Sequence, residues 1–197
     1  MISETVTNYI VDKFIELEII KQEDKEIYYY SYQYIIELLF FCFSLIILSI
    51  PLNKLTSTIL FIITVIPLRT FAGGIHASTR QACSLLSYTV YIVCIYIPHF
   101  MIELPYVIIL ILLFVSLILI CIYSPQPDRK KKLSSKDIYR LKRLTTIIAL
   151  LIIFMNVIFY IFNMKSYIAC CTCDVLFILS GMLLQLIKNK LANGEEQ

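Results

Sequence analysis

Residues 104–123 read LPYVIILILLFVSLILICIY and contain no charged side chain. A helical run of about 20 apolar residues rises about 30 Å, the thickness of the hydrocarbon core of a bilayer. Four more segments, Ile35–Leu52, Ala82–Met101, Leu144–Phe162 and Tyr167–Ile187, meet or nearly meet that length. A sixth, Leu55–Leu68, has only 14 residues before Arg69, a rise of about 21 Å. Either it spans with Arg69 drawn inward, or the loop after it dips into the membrane. The chain as a whole agrees: of 197 residues 59% are hydrophobic and 16% charged, and mean hydropathy is +0.83, whereas soluble domains carry about a quarter charged residues. A soluble globular fold is excluded. The expectation is an all-α polytopic membrane protein of six transmembrane helices, preceded by an amphipathic helix.

Net charge is only +3, but the 17 basic residues are unevenly placed. Lys13, Lys21 and Lys25 precede the first span, Arg69 and Arg80 lie between the second and third, and Lys188 and Lys190 follow the sixth. Arg129, Lys130, Lys131, Lys132, Lys136, Arg140, Lys142 and Arg143 lie between the fourth and fifth. Only Lys54 and Lys165 fall on the opposite side. The positive-inside rule then puts both termini, the 69–81 loop and the 124–143 loop in the cytoplasm, with the spans in the cell membrane. No nucleic-acid partner is expected.

The first 33 residues lack the basic start, apolar stretch and small-residue cleavage site of a secretory signal. Ile2, Val6, Ile10, Phe14 and Leu17 recur at helical spacing opposite Glu4, Asn8, Asp12 and Glu16, which reads as an amphipathic helix. Its seven acidic residues against three lysines weaken a role on anionic lipid. Packing on a basic loop of the protein or on a partner remains open. The expected organisation is an amphipathic segment at 1–33, a membrane-embedded domain at 34–190 and a tail at 191–197.

The least membrane-like connection is Arg69-Thr70-Phe71-Ala72-Gly73-Gly74-Ile75-His76-Ala77-Ser78-Thr79-Arg80-Gln81-Ala82-Cys83. Gly73-Gly74 allows backbone angles closed to other residues, so the chain is expected to turn just before His76. Ser78 and Gln81 fit a capping box that starts the third span. On one continuous helix His76 and Cys83 would share a face but lie about 10.5 Å apart, too far for proton transfer. With the helix starting at Ser78, His76 can fold back toward the sulfur, which sits near the positive end of the helix dipole. The residues alone leave two readings open: a structural cysteine with an idle loop histidine, or a nucleophile with its base at a broken-helix junction.

This loop resembles that of the accessory gene regulator B (AgrB) family, membrane cysteine endopeptidases of bacterial peptide quorum sensing. The likeness is carried by Arg69, Ala72-Gly73-Gly74, His76-Ala77 and Cys83, followed by Pro125 and the lysines at 130–132. The resemblance implies His76 and Cys83 as the catalytic pair. It also implies an AgrD-like precursor peptide as substrate, removal of the precursor's C-terminal tail, and cyclisation to a thiolactone or lactone. It further implies a homodimer that needs no cofactor or metal. Lys130, Lys131 and Lys132 would then capture the acidic tail of the precursor, besides serving as a topology signal. Arg69 either binds a substrate carboxylate or pairs with Glu37.

Several features are assigned no chemistry. Seven cysteines, an odd number mostly within apolar runs, argue against a disulfide framework. Cys170-Cys171-Thr172-Cys173 reads as helix packing rather than a metal site, since no second cluster at zinc spacing accompanies it. Glu103 and Asp174 are placed at or just inside span ends, in interfacial solvated roles, and His99 is read as structural. Tyr28, Tyr29, Tyr30, Tyr32 and Tyr34 read as an interfacial aromatic belt. The rival function is a small peptide transporter, with the broken second span and Arg69 as its pathway.

Overall fold

The computed structural model describes residues 2–74, 80–126 and 134–194. Its elements are α1 (Ile2–Glu16), α2 (Lys25–Ser49), α3 (Leu55–Ala72), α4 (Arg80–Tyr96), the one-turn α5 (Pro98–Met101), α6 (Tyr106–Tyr123), α7 (Ser135–Ile161) and α8 (Lys165–Gly194). Six stretches are long and apolar enough to cross a membrane: Gln22–Ser49, Leu55–Ala72, Ala82–Met101, Tyr106–Tyr123, Ser135–Ile161 and Lys165–Leu191. The protein is therefore an all-helical, six-span membrane protein. Outward-facing side chains such as Phe114, Ile118 and Ile122 on α6, and Leu150, Phe154 and Ile161 on α7, are exposed. In water such patches invite association, but hydrocarbon solvates them.

The chain forms two compact units, the first ending at Leu55 and the second beginning at Thr56. In the first, α1 packs on α2, with Phe14 against Tyr32 at 5.6 Å between ring centroids. Lys25 and Asp12 form an ion pair at 2.8 Å. Among the described side chains of α1, Thr7 and Val11 are buried while Val6 and Tyr9 are exposed, so the covered face is rotated from the expected stripe and shares only its Ile10–Phe14 edge. Apolar spacing finds a helix but does not assign its inner face when the chain also contacts lipid. The helix of the first span begins ten residues before Ile35, at Lys25, and carries the tyrosine cluster within it.

In the second unit α8 is central, packing against α4, α5, α6 and α7. Every residue from Ile168 to Val175 is buried. Ala169, Cys170, Cys171, Thr172 and Cys173 make this stretch slim, and small side chains are what allow close helix approach where lipid removes most of the hydrophobic driving force. Leu60 of α3 packs against Cys170 and Cys171, with Met155, Phe159 and Tyr167 around them. The cysteine run therefore works as packing, as its sequence indicated.

α3 is longer than its apolar run. The helix continues past Pro67 and Arg69 to Ala72, 18 residues and about 27 Å, so Arg69 lies in its last turn. The lost N–H of Pro67 is the kind of break that transmembrane helices tolerate. α7 begins nine residues ahead of Leu144, at Ser135, so Lys136, Arg140, Lys142 and Arg143 stand on a helix rather than in a loop.

Candidate functional site

α3 ends in an αL cap. Gly73 has φ +85° and donates its N–H to the carbonyl of Arg69 at 3.2 Å, the bond that defines this helix stop. Gly74 also has positive φ, +155°. The expected turn after the second span is thus present, at Gly73-Gly74.

Gly73 meets a distant part of the chain. It forms an isolated parallel bridge with Gln126, and the Gln126 N–H donates to the Ala72 carbonyl at 3.0 Å. A Cβ built on Gly73 would lie 2.4 Å from the Gln126 carbonyl oxygen, closer than real contacts allow, so glycine is required here twice over. The Gln126 side chain caps α6 by donating to the Tyr123 carbonyl at 2.7 Å. Two residues earlier, the buried hydroxyls of Ser124 and Thr145 are 3.0 Å apart, and Thr145 also donates to Leu141 on α7 at 3.0 Å. The ends of α3 and α6 and the first turns of α7 are joined at one place.

Cys83 is the fourth residue of α4 and is partly exposed. Its carbonyl accepts from Ser87 Oγ at 2.9 Å. Two to three turns further along the same face, Val90, Tyr91 and Cys94 are buried. Tyr91 Oη and Thr58 Oγ1 are 2.8 Å apart, and Phe61 packs edge-on to the Tyr91 ring at 5.4 Å, so α4 touches α3 beyond the cysteine. Arg69 is partly buried. His76, Ser78, Lys130, Lys131 and Lys132 lie outside the described residues, as does any cap formed by Ser78 and Gln81. The site residues that are brought into view are therefore Cys83, Arg69, Gly73 and Gly74. Gln126, Ser124 and Thr145 escaped the sequence reading, for which only the Gly-Gly pair offered a signal.

A second polar cluster lies deeper in the same unit and corrects the placement of Asp174. This residue is 2% exposed and lies nine residues into α8, about 13 Å from its start, not at a solvated span end. Cys94 lies beside Cys173 and Asp174, and Cys171 lies beside Thr64 and Asn156. Among the described residues, Asp174 Oδ2, Asn156 Oδ1 and Thr64 Oγ1 are buried without a hydrogen-bond partner. Position along a span gives depth but not neighbours, and α8 is the helix with helices on all sides. Glu103, by contrast, is exposed in the turn before α6, and His99 is exposed on α5.

The fold and the junction define a class: a six-span membrane protein with a partly exposed cysteine at the head of its third span, behind a double-glycine helix stop. The chain matches Accessory gene regulator B over residues 3–189. It belongs to the accessory gene regulator B family. Protein FsrB of Enterococcus faecalis is 27% identical over 146 residues, covering 74% of this chain and 58% of that protein, so the chain spans little more than half of that relative. No solved structure matches the chain.

Proposed function

We propose that this protein is a membrane cysteine endopeptidase that removes the C-terminal tail of a short AgrD-like precursor peptide and passes the remainder on to ring closure. The supporting observation is a family match over residues 3–189 in a chain whose Cys83 is partly exposed at the head of α4, nine residues after the Gly73-Gly74 stop. Cys83 thiolate attacks the scissile carbonyl carbon, and the C–N bond breaks. His76 takes the thiol proton and returns it to the leaving amine, so the tail departs and a thioester to Cys83 remains. A thiol or hydroxyl of the precursor then attacks the thioester, forming the ring bond and releasing Cys83. A site at the lipid boundary limits the water that would otherwise hydrolyse the acyl-enzyme. Arg69 and Lys130–Lys132 hold the acidic part of the precursor, both termini and the two site-bearing connections face the cytoplasm, and the enzyme works as a homodimer.

In lipid vesicles with the precursor, the wild type should yield tail and cyclic product by mass spectrometry. Cys83→Ser and His76→Ala, inserted and folded, should yield neither. Tail release by Cys83→Ser would end the assignment. One observation favours the transporter reading: Asp174 is a buried carboxyl within a span, and such groups mark transport paths. Under that reading Cys83→Ser would still move peptide across the vesicle membrane and the precursor would remain uncut.

A further inference from the structure

We propose that the segment Ser124–Gln126 is a positioning clamp for the proposed catalytic loop, fixing the point at which the chain leaves α3 through the Gly73–Gln126 bridge and tying that point to α7 through the Ser124–Thr145 hydroxyl pair. This rests on the endopeptidase reading and adds to it residues that touch neither substrate nor the reacting atoms.

Three features carry the inference. First, the contact is specific at the backbone: the Gln126 N–H reaches the Ala72 carbonyl at 3.0 Å, and Gly73 approaches so closely that a Cβ would meet the Gln126 carbonyl oxygen at 2.4 Å. A helix ending in an αL glycine needs no such partner to stop, so the close approach serves something other than the cap. Second, the segment is anchored on its far side. Ser124 and Thr145 are 5% and 0% exposed and their hydroxyls are 3.0 Å apart, while Gln126 Nε2 holds the Tyr123 carbonyl at 2.7 Å. Buried polar links that are mutually satisfied specify one arrangement. Third, the clamp stands at the junction of the two connections given chemical roles: Gly73 opens the one leading to Cys83, and Gln126 opens the one leading to the lysines at 130–132. Movement at Gly73 therefore shifts the start of the catalytic loop against α4, and a displacement of about 1 Å can cost about a hundredfold in rate.

The test measures precursor cleavage in vesicles by Gly73→Ala, Thr145→Val and Thr145→Ser, with Cys83→Ser alongside. Gly73→Ala forces the bridge apart, and Thr145→Val removes the hydroxyl while keeping the shape of a buried side chain on α7. The clamp requires both to lower kcat at least tenfold with KM changed less than about threefold, and requires Thr145→Ser to recover most of the lost kcat. Labelling of Cys83 by a maleimide confirms that each Gly73 and Thr145 variant is folded with its thiol accessible. Wild-type kcat in folded Thr145→Val, or a rise in KM at constant kcat, overturns the clamp. Should Cys83→Ser still cleave, it is the endopeptidase reading that falls, and the clamp falls with it. An inactive Cys83→Ser together with a fully active Thr145→Val refutes the clamp alone.

Discussion

Cys83 and Cys94 lie on one face of α4, eleven residues and about 16.5 Å apart, in opposite surroundings. Cys83 is partly exposed at the head of the helix. Cys94 is 2% exposed, among Cys173, Asp174 and the neighbouring α8. Under the proposed function the same residue type serves two purposes on one helix. The proposed nucleophile must be reached by a peptide, and Cys83 is the partly open one of the two. A packing cysteine fills a slot between close helices, where its small volume matters and access does not.

The contrast between an open and a buried cysteine is broken most severely by replacing Cys83 or, among the buried ones, Cys171. Cys83→Ser should eliminate precursor cleavage while leaving thermal stability within about 0.5 kcal/mol, as for substitutions away from the core. Cys171→Leu should do the reverse. Its site is fully buried, and added volume in a packed core costs about 1–3 kcal/mol, or a midpoint lowered by several degrees in detergent. A maleimide that labels Cys83 promptly should leave Cys94, Cys171 and Cys173 unmodified until the protein unfolds. If Cys94 reacts as fast as Cys83, the division between open and closed ends of α4 is wrong.

Smaller effects sharpen the same comparison. Tyr91→Phe removes the 2.8 Å bond to Thr58 and should cost about 1 kcal/mol, with cleavage reduced only as far as α4 loosens. Replacing Lys130, Lys131 and Lys132 with Gln should raise KM more at low than at high salt, because screening weakens capture of an acidic tail. An equal loss at both would indicate an insertion defect instead. The smallest change is expected from Asp12→Asn. Its ion pair with Lys25 is about half exposed, and such pairs contribute about 0–1 kcal/mol, readable as a slight midpoint shift at most.

What could be read from the sequence followed from local rules. Span number came from apolar length, and Ala82–Met101 coincides with the observed third span. The stop at Gly73-Gly74 came from backbone freedom. The slim packing role of Cys170, Cys171 and Cys173 came from the apolar run around them. What could not be read is non-local. No periodicity links Gly73 with Gln126, 53 positions apart, and a glycine at a turn looks the same whether or not another strand of chain presses on it. Asp174 escaped for a related reason: its depth in the span was measurable, but the centrality of α8 emerges only when α4, α5, α6 and α7 are packed around it. In α1 the apolar stripe was real, yet the most deeply buried described residues are Thr7 and Val11 beside it, because hydrophobicity alone does not separate a face toward protein from a face toward lipid.

The acyl-enzyme is the most direct point of attack. A precursor whose ring-closing side chain is replaced by alanine can be cut but cannot cyclise, so its N-terminal part should accumulate as a thioester. Digestion and mass spectrometry of the vesicle-bound protein should find that adduct on the peptide containing Cys83, released by hydroxylamine and absent from Cys83→Ser. Tail release with no adduct on Cys83, or with the adduct on another residue, would contradict the assignment of Cys83 as the nucleophile.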